Sequence, residues 1–259
     1  MQQNTRKSLI ATKELLHYLN FSKPDIVLLQ EPYTANSDKI LGFPLKSILH
    51  YKKNSLRPKS GILITNNHLY TELLPEFSNN NITTIKVQLH NSSLIVSNAY
   101  IEPNSLTTEH INLLVKIINT HKNQPLIVAG DFNSRHPLWN DNITNPQGIA
   151  LSDLINDFEL DVHNNKEPTC ITANGSSIID LTLTNNKATP RISNWYTSKQ
   201  SNTIFDHVSI MFTYQAQFSI PKKTIHSTYK FNESLADWQK FINHVNTNIT
   251  QLNISINNI

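Results

Sequence analysis

Apolar residues fall at Leu9, Leu15, Leu16 and Leu19, close to the spacing of one helix face, and the pattern stops before Ser22-Lys23-Pro24; a proline pushes the residue before it out of the helical region. A helix is therefore predicted over residues 8–19. The next segment, Asp25-Ile26-Val27-Leu28-Leu29-Gln30, is a continuous apolar run, the pattern of a strand buried on both faces. It delivers Glu31-Pro32 at its end. Residues 61–65, 81–89 and 93–100 read as three further strands, the middle one alternating Ile82, Thr84, Lys86 and Gln88 against Thr83, Ile85, Val87 and Leu89, and they are expected to be antiparallel neighbours.

Residues 107–121 place Ile111, Leu114, Val115 and Ile118 on one helical face, and Pro125-Leu126-Ile127-Val128-Ala129 is a second buried strand, ending in Gly130-Asp131. A helix over 147–158 carries Ile149, Leu151, Leu154 and Ile155, and strands are expected at 178–183, 192–196 and 208–214. After a boundary near Ile220-Pro221-Lys222-Lys223, residues 234–245 read as a separate helix with Leu235, Trp238, Phe241 and Ile242 on one side. The reading is one mixed α/β domain over residues 1–218 and a short C-terminal piece over 219–259.

Composition narrows this picture only slightly. The chain has 259 residues, 38% of them hydrophobic, enough for a sizeable core. Its formal charge of +3 permits a polyanionic partner without demanding one. The single cysteine, Cys170, excludes an internal disulfide framework and a multi-thiolate zinc site, and is expected to be a small apolar residue in a strand. No run approaches the ~18 apolar residues of a membrane span, and no secretory leader is visible. The expected setting is intracellular, with no membrane partner.

The chemistry lies at the strand ends. Glu31, Asp131, Asp180 and Asp206 each follow or punctuate an apolar run, so strands lying side by side would gather four carboxylates on one rim. Such a rim needs a hard divalent cation, magnesium or manganese, and its oxygen donors disfavour zinc. In Gly130-Asp131-Phe132-Asn133-Ser134 the glycine allows a tight exit from the strand. Asp131 can orient a water or take its proton, and Asn133 can donate to a phosphoryl oxygen; alone, the segment would be an ordinary Asx turn. Asp206 and His207 are adjacent in extended chain and point to opposite faces, so one is available to metal and the other to phosphate, with Asp180 a candidate partner for the imidazole. Tyr100 is either a core tyrosine or a hydroxyl aimed at phosphate.

Taken in order, Asn4, Gln30-Glu31-Pro32, Tyr100 with Pro103-Asn104, Gly130-Asp131-Phe132-Asn133, Asp180 and Asp206-His207 resemble the motif series of the endonuclease/exonuclease/phosphatase superfamily over residues 4–215. The resemblance implies an α/β fold, a four-layer α/β sandwich of two packed mixed sheets with outer helices. Within the superfamily, Asp131-Phe132-Asn133-Ser134-Arg135-His136-Pro137-Leu138-Trp139, Asn145-Pro146-Gln147-Gly148, Pro168-Thr169 and Ser176-Ser177-Ile178-Ile179-Asp180-Leu181-Thr182-Leu183 are similar to the endonucleases of jockey-like, insect-type non-LTR retrotransposons. These nick chromosomal double-stranded DNA, in the nucleus, so that the 3′ hydroxyl primes reverse transcription.

The resemblance also assigns roles. Glu31 is implied as the principal ligand of Mg²⁺ (or Mn²⁺), with Asn4 and Asp206 in the metal and water network. Asp131 positions the attacking water, Asn133, Tyr100 and His207 hold the scissile phosphate, and Asp180 supports His207. Asn104, Arg135 and Arg6 are candidates for DNA phosphate contacts, Arg6 alternatively being a solvated charge at a helix start. The segment around Ala236-Asp237-Trp238-Gln239-Lys240-Phe241 is similar to the connector that precedes a reverse transcriptase. A polymerase domain is expected in the parent polyprotein and is absent from these 259 residues.

The chain departs from the family pattern at two places. Apurinic-site endonucleases of the superfamily carry an acid where Arg6 stands. The apolar first strand that precedes the asparagine in the family is reduced here to Met1-Gln2-Gln3, so a nearly absent strand and a loosely held Asn4 are expected. The alternatives are an apurinic-site repair endonuclease and an inert, truncated relic of the element protein.

Overall fold

A computed structural model describes residues 1–53, 57–105, 107–198, 206–216 and 237–251. The chain separates into two compact units, Met1–Phe218 and Ser219–Ile259. Among the described residues, no helix is long and apolar enough to cross a membrane.

The first unit is built on two six-stranded mixed sheets. The first sheet contains β1 (Gln2–Asn4), β2 (Ile26–Gln30), β3 (Ile48–His50), β4 (Ser60–Ile64), β13 (Ile192–Ser198) and β14 (Ser209–Tyr214), in the order β13-β14-β1-β2-β4-β3. The second contains β5 (Tyr70–Leu73), β6 (Ile82–Gln88), β7 (Ser93–Tyr100), β8 (Leu126–Asp131), β9 (Asp161–Val162) and β12 (Asp180–Thr184), in the order β5-β6-β7-β8-β12-β9. A small hairpin of β10 (Cys170–Thr172) and β11 (Gly175–Ser177) forms a separate two-stranded sheet, bridged through Cys170 to His207.

The period-two geometry of a strand divides these runs between layers. In β2, Val27 and Leu29 pack outward with Leu15 of α1 (Leu9–Ser22), while Leu28 faces inward with Ile62, Ile85, Val96, Ile127 and Ala129. In β8 the neighbouring positions Leu126 and Val128 turn the other way, onto Leu114 and Ile117 of α2 (Thr108–His121) and Leu151, Leu154 and Ile155 of α3 (Pro146–Asp157). The result is helix, sheet, sheet, helices: the four-layer α/β sandwich. The helix starts follow their caps, since Ser8, Thr107 and Asn145 each accept a backbone N–H of the first turn. Helix α1 ends at Lys23, which adopts the left-handed conformation.

Several expectations are corrected. The first strand is not lost: β1 lies inside its sheet, parallel to β2 with Asn4 beside Gln30 and antiparallel to β14 with Gln2 beside Ile210. Its three polar residues are buried, Asn4 to 1% exposure; for Gln3 and Asn4 neighbours supply the hydrogen bonds that burial demands, while the Gln2 side-chain amide is left without a partner. Gln3 donates to the carbonyl of His207 and accepts from the hydroxyl of Ser209. Strand β4 is not a ladder partner of β6; it pairs with β2 and β3, while β6 pairs with β7. Burial on both faces announced a strand but not its neighbour. Cys170 is buried in β10, as expected.

The interior between the sheets turns polar toward one end. There Asn98 of β7 accepts from the side chain of Gln30 and donates to the carbonyls of Leu29 and Gly61, both at 2.8 Å. The hydroxyls of Ser60 and Thr83 meet at 2.7 Å. These bonds stitch β2 and β4 to β6 and β7 directly beneath the acidic rim.

The second unit contributes α4 (Trp238–Gln251), which carries exposed Trp238, Phe241 and Ile242. The boundary at residues 220–223 and the expected helix start at 234, with Leu235, lie outside the described residues.

Candidate active site at the seam of the two sheets

The parallel strands β1, β2, β7 and β8 all end at one rim, and β12 and β14, which run against them, begin there. Asn4, Glu31, Tyr100 and Asp131 therefore sit at C-terminal strand ends, with Asp180 opposite Asp131 in the ladder and His207 just ahead of β14. Gly130 is required for this exit: its φ is +148°, and a Cβ there would lie 1.9 Å from the Ala99 carbonyl oxygen of the parallel neighbour.

The side chains form a continuous chain across the seam. Asn4 Nδ2 donates to Asp131 Oδ2 at 2.9 Å and to Glu31 Oε1 at 3.3 Å. Asp131 Oδ2 lies 3.8 Å from His207 Nε2, and His207 Nδ1 meets Asp180 Oδ2 at 2.8 Å. The hydroxyl of Tyr100 lies beside Glu31 and helps to hold its carboxyl down. Four of these contacts, Asn4 to Asp131, Asp131 to His207, Asp180 to His207 and Tyr100 to Glu31, pass from one sheet to the other.

Surrounding groups fix the orientation of each acid. Thr169 Oγ1 accepts the backbone N–H groups of Ile179 and Asp180, each at 3.0 Å, and Asn164 donates to the Asp180 carbonyl. Glu31 has φ of +44°, a costly conformation for a residue with a Cβ. It is held there by Lys7 N and Thr5 Oγ1, which both donate to its carbonyl, and by its own N–H, which donates to Lys59 O.

Proton affinities follow from burial and from these partners. Burial pushes Asp131 up to about 7, aided by the charge of Asp180 and opposed by His207 and by the donors Asn133 N and Asn4. Burial disfavours an imidazolium at His207, but the charge and hydrogen bond of Asp180, with a further bond from Cys170, outweigh it and raise His207 well above its ordinary value. The shift favours the imidazolium form of His207. For Glu31 the cost of burial is exceeded by Lys7, Asn4 and Tyr100, which hold it below the usual carboxylate range. Burial, then Glu31, raise Tyr100, so it remains a hydroxyl.

The other expected site residues are placed as follows. Asn133, at φ +48°, donates its side-chain amide to the Ile101 carbonyl at 2.9 Å and its backbone N–H to Asp131 Oδ1 at 3.0 Å. Asn104 is exposed in the turn after β7 with φ of +56°. Asp206 is half-exposed and pairs with Arg6 at 2.9 Å, so Arg6 meets an acid within its own chain. Arg135, a candidate for a DNA contact, pairs within the chain: Nε and Nη2 both lie 2.9 Å from Asp141 Oδ1, and Nη2 also donates to Ser176 O. Asp141, 4% exposed, in turn accepts the N–H groups of Ile143 and Ile178, tying the loop after β8 to the approach to β12.

Sequence reading did not find Lys7, 3.0 Å from Glu31 Oε2, or the Lys59–Glu102 pair at 2.6 Å. No local pattern distinguishes these lysines from solvated ones. Lys7 and Lys59, with Arg57 and Tyr33, line a cleft of about 270 Å³ beside Glu31. A larger cavity, about 360 Å³, lies between the sheets at the far end and is mostly apolar, lined by Ile26, Val87, Val96 and Phe212 among others; it offers nothing to phosphate chemistry.

Two donor groups suit a metal ion. Asp131, Asp180 and His207 bring ligand atoms within 4.8 Å of one another, close enough for one ion. In that trio, however, Nδ1 and an Asp180 oxygen already satisfy each other. Glu31 and Asp131, bridged by the Asn4 amide, offer hard oxygens on a partly open rim, where water completes the shell that magnesium prefers. The residues at this rim fit a divalent cation.

Fold and site together resemble a phosphodiesterase or nuclease domain of the endonuclease/exonuclease/phosphatase superfamily. Residues 94–211 match the family described as endonuclease-reverse transcriptase, and the domain resembles the endonucleases of non-LTR retrotransposons. The chain is 29% identical over 149 residues to a Drosophila melanogaster protein described as a probable RNA-directed DNA polymerase from transposon X-element; the match covers 53% of this chain and only 15% of that one. Among solved structures, the endonuclease domain of TRAS1, a telomere-specific non-LTR retrotransposon, superposes with a TM-score of 0.75 at 20% identity over 84% of this chain and 98% of that one. The apurinic endonuclease LMAP from Leishmania major gives 0.62 at 11% identity over 83% and 86%.

Proposed function

We propose that this chain is an endodeoxyribonuclease, dependent on Mg²⁺ or Mn²⁺, that nicks double-stranded DNA and leaves a 3′ hydroxyl and a 5′ phosphate. The observation that carries the reading is the position of Asp131 Oδ2, between Asn4, which reaches on to Glu31, and His207, which Asp180 backs. The cationic cleft beside Glu31, with Lys7, Arg57 and Lys59, supports a polyanionic substrate.

Glu31, with Asn4 beside it, would hold the divalent ion, which when bound neutralises phosphate charge. Asp131, whose proton affinity lies close to neutral pH, orients a water and accepts its proton. The water oxygen bonds to phosphorus as the bond to the 3′ oxygen breaks, and that oxygen departs, taking a proton from solvent water to become the 3′ hydroxyl. His207, held protonated by Asp180, offers Nε2–H to a non-bridging phosphoryl oxygen, and Asn133 has a second amide hydrogen for the same purpose. Tyr100 steadies Glu31. Catalysis is then mainly positioning and charge neutralisation.

In this reading the 3′ end primes reverse transcription of a non-LTR element on chromosomal DNA in the nucleus. The parent polyprotein carries a reverse transcriptase, and the unit Ser219–Ile259 is the connector leading to it. The support is the family match and the curated relative, of whose length this chain spans 15%.

Incubating the chain with supercoiled plasmid and Mg²⁺ is expected to give open circles that DNA polymerase extends without prior phosphatase treatment. No nicking with either Mg²⁺ or Mn²⁺, or equal nicking by Asp131→Ala, overturns the proposal. A second reading, repair at apurinic sites, is favoured by the fold shared with LMAP; it requires an abasic oligonucleotide to be cut in preference to its intact counterpart.

A further inference from the structure

The turn between β1 and α1 aims two cations at two acids. Arg6 Nη1 lies 2.9 Å from Asp206 Oδ2, and Lys7 Nζ lies 3.0 Å from Glu31 Oε2. Both residues occupy the left-handed region, with φ of +49° and +55°, a conformation disfavoured for a side chain with a Cβ. Hydrogen bonds hold them there. Arg6 N donates to Asn4 Oδ1 at 2.8 Å, Lys7 N donates to the Glu31 carbonyl at 2.7 Å, and Ser8 N closes the turn onto Thr5 O. Lys7 is therefore rooted to the backbone of the residue whose carboxylate its ammonium touches. An ordinary surface lysine has no such tether, and its ammonium samples freely.

These contacts engage the oxygens that a hard divalent cation needs. Glu31 Oε2 faces Lys7, and Oε1 faces Asn4. Asp206 faces a guanidinium, which is permanently charged and shaped to grip a carboxylate. Each contact puts a fixed positive charge where a metal ion would otherwise supply one.

Resting on the metal-dependent reading of the site, we propose that Arg6 serves as the counter-charge of Asp206, so that the chain takes up a single divalent ion at Glu31, and that Lys7 is a tethered competitor which this ion displaces. Metal affinity is thereby set by a residue that is not itself a ligand. Asp206 stands outside the ligand set.

Calorimetric titration of the full chain with Mn²⁺ and with Mg²⁺, at fixed ionic strength, tests both parts. Wild type is expected to bind one ion. Lys7→Met keeps that stoichiometry and binds about fivefold more tightly, the upper end of what an exposed ion pair is worth. Lys7→Arg, which retains the competing charge, matches wild type. Replacing the second pair together, R6Q with D206N, removes both charges and is expected to leave one ion bound with Kd within about twofold of wild type; circular dichroism verifies that each variant is folded. Two ions bound by wild type, no tightening in Lys7→Met, or loss of binding in the paired variant each overturns the inference while the metal-dependent reading stands. Absence of binding in every variant, together with nicking that survives a chelator, overturns both.

Discussion

Asn4 Nδ2 donates to Asp131 Oδ2 at 2.9 Å, joining the first sheet to the second across 127 positions of sequence. The same nitrogen reaches Glu31 Oε1 at 3.3 Å, so one carboxamide sets the separation of the two carboxylates assigned to metal and water. Asn4→Ala is expected to lower the plasmid-nicking rate about 10–100-fold, the usual cost of losing a group that orients a ligand. It is also expected to destabilise the fold by about 1.5–3 kcal/mol through loss of a charge-assisted bond. Urea unfolding and nicking rates measure the two losses; a variant with wild-type rate shows that the carboxylates hold their spacing without Asn4.

Asp180 and His207 act as a unit in the proposed mechanism, since Asp180 favours the cationic imidazole. Asp180→Asn is expected to lower the His207 pKa and to slow nicking about 10²–10³-fold at neutral pH. The double variant Asp180→Asn/His207→Ala should be no slower than His207→Ala alone. NMR titration of the imidazole resonances follows the first effect. Additive losses in the double variant would show that Asp180 acts independently of His207.

Arg135 and Asp141 form a partly buried pair that braces the loop after β8. Arg135→Ala leaves the Asp141 charge buried without its partner, and breaking such a pair costs about 3–5 kcal/mol. A lowered unfolding midpoint is expected, while the salt dependence of DNA binding is unchanged, as no phosphate contact is lost. A shallower salt slope with unaltered stability would return Arg135 to the DNA surface.

His163 reports on pH. Burial lowers its pKa, against the opposing charge of Asp161, and its Nε2 lies 2.7 Å from Thr184 Oγ1. In the window just below the ordinary histidine value of about 6.5, the unfolded chain takes up a proton that the folded chain refuses. The stability His163 contributes is therefore present at pH 7 and declines as pH falls. The difference in melting temperature between wild type and His163→Gln is expected to shrink from pH 7 to about pH 5.5. A difference that stays constant or widens contradicts the assignment.

The parts of this fold legible in the sequence are those where local pattern and burial coincide. Strands β2 and β8 are continuous apolar runs, and because each is buried on both faces its end has to lie at a rim, which drew attention to Glu31 and Asp131 before any geometry was known. Strand β1 escaped because Gln2, Gln3 and Asn4 are polar; the burial of Gln3 depends on partners such as His207 O and Ser209 Oγ, some two hundred residues away. The pairing of β4 escaped because a strand records how deeply it is buried and nothing about which strand lies beside it. Asp141 and Lys7 escaped for a related reason: a charged residue in a polar stretch reads the same whether it braces a loop or faces water.

The polar stitching around Asn98 has a mechanical meaning for the site above it. Glu31 and Asn4 ride on one sheet and Asp131, Tyr100 and Asp180 on the other, so a slide of half an ångström between the sheets would change every gap that matters to the chemistry while leaving each sheet intact. Asn98, bonded to Gln30, Leu29 and Gly61, is the latch against that slip. The geometry of the rim is thus stored below it, in a residue that lies outside the proposed catalytic group.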